Sequence, residues 1–297
     1  MSPALLMVFA SLAFAAMGVC VKYASALYGT PEIVLYRGIV GAALMAWWCR
    51  RSGTGLGTRV PVMHFWRAVI GVTALLLWFY AIGGLPLATA TTLNYMSSVW
   101  MAVFLIGGAI VMGRSGIDAR LFATVLAGFA GVALVLRPTI GQEQLWHGLL
   151  GLLSGMLSAV AYLQVTALGR AGEPEPRVVF WFSVGGIVAG LGLTFLTGEG
   201  LHAHTPRGLA LLLAVGVLAT LGQVLMTRAY GTGRPLVIAS LQYLGIAYSF
   251  GFGVWLFDDP VSWMSLGGIA LIVGAGLAAT RLRQETPAPD SRQPADS

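Results

Sequence analysis

The side chains in this sequence best placed to do chemistry inside its apolar stretches carry no charge. Thr91, Asn94, Tyr95 and Ser98 follow i, i+3, i+4, i+7 spacing, which puts them on one face of a helix. Gln242 and Tyr243 repeat the amide–tyrosine pair 148 residues later. Amides and phenols offer both donors and acceptors, which suits the ammonium and carboxylate of a zwitterion. A tyrosine ring adds cation–π contact and an apolar wall. Tyr162 and Gln223 extend the lining, so the candidate substrate-binding set is Asn94, Tyr95, Ser98, Tyr162, Gln223, Gln242 and Tyr243. The competing reading is structural: such groups also bond helix to helix, at about 0.6 kcal/mol per pair in a membrane.

The elements that must position these groups are membrane helices. The chain is 57% hydrophobic and only 9% charged, against roughly 25% charged residues in a soluble domain. Its apolar stretches run about twenty residues, the length that crosses a bilayer core. Ten spans are expected: 4–22, 32–49, 65–83, 89–112, 118–137, 148–169, 177–197, 208–229, 235–257 and 263–280. Backbone groups in lipid need partners within the segment, so each span is a helix. Lys22 follows the first apolar run instead of preceding it, so that run is kept as a helix and not taken for a signal peptide. The tail 281–297 is polar and Pro-rich and is expected to be disordered and cytoplasmic.

With the N-terminus inside, thirteen basic residues fall on the inner side and three on the outer, Arg37 standing apart inside a span. Arg67 is counted among the inner thirteen. That bias places both termini in the cytoplasm. The net charge of +6 therefore reports topology and not nucleic-acid binding.

The two halves are copies of one unit. Residues 81–95, AIGGLPLATATTLNY, align with 229–243, AYGTGRPLVIASLQY, and Pro31, Val34 and Gly41 align with Pro176, Val179 and Gly186. The expected units are 1–140 and 141–280. Five spans per unit is an odd number, so the second unit enters from the opposite side and the repeats are inverted. Internal repeats of this kind mark secondary transporters, with the substrate site between the halves.

Three stretches carry a family resemblance: Val21 to Ala42, Phe65 to Tyr95 and Leu236 to Ser262. They resemble the ten-helix EamA-type proteins of the drug/metabolite transporter superfamily, and within it the bacterial YddG-type amino-acid exporters. The resemblance implies a multi-pass protein of the bacterial inner membrane that exports small metabolites. It departs at two points. Ser98 and the Gly245–Ile246 region stand where such proteins usually carry a proline, so glycines are expected to provide the bending. Arg114 and Asp259 stand where a glutamate commonly closes the helix.

Ionisable groups narrow the mechanism. All eleven acidic residues and four histidines fall at span ends, in loops or in the tail, so no acidic relay is expected in the membrane. Facilitated diffusion or exchange by alternating access is then the simpler mechanism. Arg37 is expected to snorkel to the outer surface or pair with Glu32; the alternative is a carboxylate clamp. Small residues at four-residue spacing, including Gly151–Gly155 and Gly186–Gly190, are expected to let helices approach closely. Trp47, Trp48, Trp66, Trp146 and Trp263 read as interfacial anchors. No HExxH, GxSxG or Cys/His cluster is present, so neither an enzyme, a metal site nor a cofactor is expected. The expected partners are a small-molecule substrate and the lipid bilayer, with no nucleic acid, in a monomer or weak homodimer.

Overall fold

Proline sets the helix starts: Pro3, Pro31, Pro61, Pro176 and Pro206 each stand in the first two positions of a helix. There the missing N–H has no intrahelical partner to lose and φ is already helical. Ser2 and Thr205 cap their helices by accepting from Leu5 and Gly208. The computed structural model describes residues 1–111, 142–198, 200–233 and 241–285, with positions 120, 123, 126–128, 130, 131, 134 and 238 between them. The described elements are all helices: α1 (Pro3–Ala24), α2 (Thr30–Arg51), α3 (Pro61–Gly84), α4 (Leu87–Tyr95), α5 (Ser97–Val111), α6 (Gln142–Arg170), α7 (Glu175–Leu196), α8 (Pro206–Thr232), α9 (Leu244–Phe257) and α10 (Trp263–Glu285). Six of them, α1 to α3 and α6 to α8, are long and apolar enough to cross a membrane. A 22-residue helix rises about 33 Å, just over the thickness of a bilayer core.

These six helices match the expected spans to within a few residues at most ends, α6 beginning six residues early. Most of the expected span 118–137, Arg114, Glu199 and the tail beyond 285 lie outside the described residues. Residues 281–285, expected in the tail, instead continue α10. The expected span 89–112 is interrupted. α4 stops at Tyr95, Met96 forms a turn, and α5 begins at Ser97. The turn is tightened, not unwound: Met96 N–H reaches both Thr92 O and Leu93 O, and Val99 N–H reaches Met96 O. The second half carries the same tightening at Gln242–Tyr243, where Gly245 N–H reaches Gln242 O and Ile246 N–H reaches Tyr243 O.

Glycine decides how closely the helices pack. α2 lies along α7, α1 along α8 and α3 along α6. A Cβ at Gly38 would sit 2.8 Å from Ser183 O, and one at Gly190 would sit 2.7 Å from Leu35 N and Pro31 O. Backbone meets backbone at this crossing, as the small-residue spacing implied. Around the bundle, Phe9, Leu12, Ile39, Leu44, Val188 and Leu213 are exposed apolar side chains, the surface a lipid chain would cover. All five expected tryptophan anchors are also exposed.

Candidate functional site

The tightened turn at Met96 brings Asn94 and Tyr95 to the middle of the bundle. Asn94 Nδ2 donates to Ser154 Oγ at 3.0 Å and to Ser158 Oγ at 3.1 Å, both on α6. Gly155, between those serines, admits the backbone carbonyls of Leu93 and Asn94; a Cβ there would lie 2.9 Å from Asn94 O. The last carbonyls of α4 can therefore sit against α6 only because this position is glycine. Tyr95 crosses to the other half and lies over Gly245, where a Cβ would meet its ring at 2.6 Å. Thr91 Oγ1 donates to Ser249 Oγ at 3.0 Å, a second polar link between α4 and α9.

Beside this turn is a cavity of about 50 Å³. Its lining comes from seven helices: Phe14 and Met17 of α1, Arg37 of α2, Arg67, Gly71, Ala74, Leu75 and Trp78 of α3, Asn94 and Tyr95 of α4, Ser158, Ala161 and Tyr162 of α6, Phe182 of α7, and Gln223 and Met226 of α8. Four of the seven expected site residues line it: Asn94, Tyr95, Tyr162 and Gln223. The other three stand behind that lining. Gln242 and Tyr243 are buried, and Gln242 Oε1 and Tyr243 Oη have no hydrogen-bond partner. Tyr162 stacks on Tyr230 at 5.2 Å.

The largest correction to the sequence reading concerns arginine. Arg37 neither snorkels nor pairs with Glu32; it is 4% exposed and faces the cavity. Glu32 is itself buried and bonds His202 Nδ1 at 2.7 Å. Arg67, counted in an inner connection, lies on the second turn of α3 and is 3% exposed. The two guanidinium carbons flank one ring, at 5.1 Å and 4.2 Å from the Phe182 centroid. The charges are therefore at most about 9 Å apart. At an effective dielectric of about 20 they repel by about 2 kcal/mol. Gly71, one turn beyond Arg67, leaves the space its guanidinium occupies. Arg37 Nε, Arg67 Nε and Nη1, Trp78 Nε1 and Gln223 Nε2 are all buried without a hydrogen-bond partner. One signal in the sequence pointed to Arg37: an ionisable residue inside a span is functional by default. Arg67 was hidden by its place near a span end, where positive charge is ordinary.

Polar ties close both ends of the bundle. At one end Asp259 Oδ1 pairs with Lys22 Nζ at 2.9 Å, and its Oδ2 accepts from Leu87 N at the start of α4. Asp258, in the left-handed region at φ 50°, turns the chain at the end of α9. At the other end Glu173 accepts from Thr58 and meets His64 Nε2 and Arg177, joining the α2–α3 and α6–α7 connections. Burial pushes the Glu173 carboxyl up, but these hydrogen bonds and the Arg177 charge outweigh it and hold the group below the usual carboxylate range.

Known proteins provide an independent view. The chain is 31% identical over 284 residues to the pseudopaline exporter CntI of Pseudomonas aeruginosa, spanning 95% of this chain and 97% of that protein. It is 27% identical over 292 residues to a riboflavin transporter of Rhizobium johnstonii, spanning 94% and 90% respectively. A solved crystal structure superposes with a TM-score of 0.68 over 96% of this chain and 99% of that chain at 18% identity, which shows a shared fold. No protein-family model matches the chain.

Proposed function

This chain belongs to the transporter family, of drug/metabolite transporter type, that includes the pseudopaline exporter CntI, and we propose that it exports small amino-acid-like metabolites across the bacterial inner membrane. The observation that carries the reading is the central cavity, lined from both halves of the chain and bearing polar groups without partners. A cavity of about 50 Å³ is far below the roughly 300–1,000 Å³ that encloses a drug-sized ligand. Substrate entry therefore requires the helices around it to separate. Two inverted five-helix repeats supply that motion in the reading offered here. The packing supports it: α1 lies on α8 as its counterpart α6 lies on α3, and the tightened turns fall within two residues of equivalent positions. Both termini are assigned to the cytoplasm on the basic-residue bias. Among the described residues the cavity lining holds two arginines and no carboxylate, which supports flux down the substrate gradient or by exchange over an acidic proton relay.

A second reading, an aromatic vitamin-like solute, draws on Trp78 and Tyr95, whose rings are 6.3 Å apart beside the cavity. The test for both is reconstitution into liposomes with preloaded labelled amino acids, purines and vitamins. Saturable efflux is expected without an imposed pH gradient, and Ala161→Trp, which fills the cavity from α6, should abolish it. Failure of every solute to move, or an unchanged rate in the filled variant, would reject the proposal.

A further inference from the structure

We infer that the central cavity selects a dicarboxylate, a small solute with two carboxylates, one for each of Arg37 and Arg67. The inference rests on the transport reading only for the word substrate; the anion site stands on its own observations. Two guanidiniums, 4% and 3% exposed, flank Phe182, and neither meets a carboxylate among the described residues. The buried carboxylates near the bundle ends are engaged elsewhere, Glu32 by His202 and Glu173 by His64 and Arg177.

The unpartnered groups lining the cavity also have one polarity. Arg37 Nε, Arg67 Nε, Arg67 Nη1, Trp78 Nε1 and Gln223 Nε2, the lining groups that are buried without a partner, are all N–H donors. A site of unsatisfied donors around two fixed positive charges is complementary to oxyanions and hostile to cations. A neutral amide of the same shape would leave both charges uncompensated, which a buried site penalises heavily. Guanidinium is also the side chain whose planar paired donors match carboxylate geometry. One carboxylate would satisfy one arginine and leave its neighbour repelling an unneutralised charge, so two are assigned.

The test uses the purified full chain in detergent and matched pairs at millimolar concentration and constant ionic strength. The pairs are L-glutamate with L-glutamine and succinate with succinamide, with inorganic phosphate as the non-carboxylate anion. Thermal unfolding reads binding directly, because a ligand held by the folded state raises the transition. The dicarboxylates should raise it with an affinity at least about tenfold above their amides, and Arg37→Gln or Arg67→Gln should each remove about tenfold of that affinity. Arg37→Lys and Arg67→Lys, which keep the charge and lose the paired donors, should fall between. The inference is overturned if the amides match the acids, if no acid shifts the transition, if phosphate matches the dicarboxylates, or if both glutamine variants bind as the parent does. Labelled succinate and glutamate in liposomes then separate the two readings. Arginine-dependent binding without flux would sink the transport reading and leave the anion site. Flux indifferent to charge would do the reverse.

Discussion

Replacing Arg67 by methionine should make the unliganded protein more stable, and the structure fixes the scale. The substitution keeps an unbranched apolar stem and removes a buried cation. It relieves about 2 kcal/mol of repulsion with Arg37, taken at the largest separation their shared contact with Phe182 allows. It also removes two buried donors without partners, each worth about 1–3 kcal/mol. Against this stands the loss of the stacking of Arg67 on Phe182, about 2 kcal/mol for a desolvated cation–π contact. The balance is a gain of about 2–6 kcal/mol, which for a chain of this size raises the apparent melting temperature by at least about 4 °C. The assay is thermal unfolding of the full chain in one detergent at one scan rate, read by retention of the monodisperse peak after heating. A site that keeps unpaired charge for its ligand gives up stability to do so, and removing that charge restores it. If Arg67→Met lowers the melting temperature, and Arg67→Lys lowers it less, Arg67 is a structural strut and the reasoning fails.

Asn94→Ala should cut transport roughly 5- to 150-fold and destabilise by about 1–3 kcal/mol, because Ser154 and Ser158 lose their shared donor; liposome flux at equal protein, with melting in parallel, checks both. The Lys22–Asp259 pair, at 18% and 13% side-chain exposure, should show a coupling of about 1–3 kcal/mol in a double-mutant cycle of Lys22→Met and Asp259→Asn, and no coupling would remove it as an end-closing tie. Glu173 is held ionised, so its stabilisation is fully present above the ordinary Glu value of about 4.3 and is lost as pH falls through its lowered folded value. Acid melting curves of the parent should therefore drop more steeply below that pH than those of Glu173→Gln. Gly155→Val should destabilise by about 3 kcal/mol or more by forcing α6 off the carbonyls of Leu93 and Asn94, whereas Gly192→Ala, with nothing within 4 Å of its added Cβ, should gain up to about 1 kcal/mol.

Much of this protein is written in local patterns. Apolar runs near twenty residues identify helices because the bilayer length and the backbone's need for internal hydrogen bonds leave no alternative. Proline at Pro3, Pro31, Pro61, Pro176 and Pro206 marks where they begin. The amide–tyrosine pairs were visible because the offset that aligns residues 81–95 with 229–243 sets them opposite each other, and Asn94, Tyr95, Tyr162 and Gln223 do reach one cavity. The helix interruption at Met96 was not visible. No proline or glycine occupies residues 91–100, and the tightened turn is held by α6 serines and a glycine far along the chain.

What the sequence determined by itself is the membrane class, the placement of most helices and the identity of the polar groups they carry, because each depends on neighbours within one or two turns. What only the tertiary structure decided is which of those groups share a space. Arg67 looked like one more positive charge at a span end, and Arg37 like a partner for Glu32. Glu32 went to His202 instead, Gly71 opened room for one guanidinium, and Phe182 drew both arginines to the same ring. Whether a charge is paired, solvated or left waiting for a ligand is set by what packs against it from other helices, and that contact has no local signature in the chain.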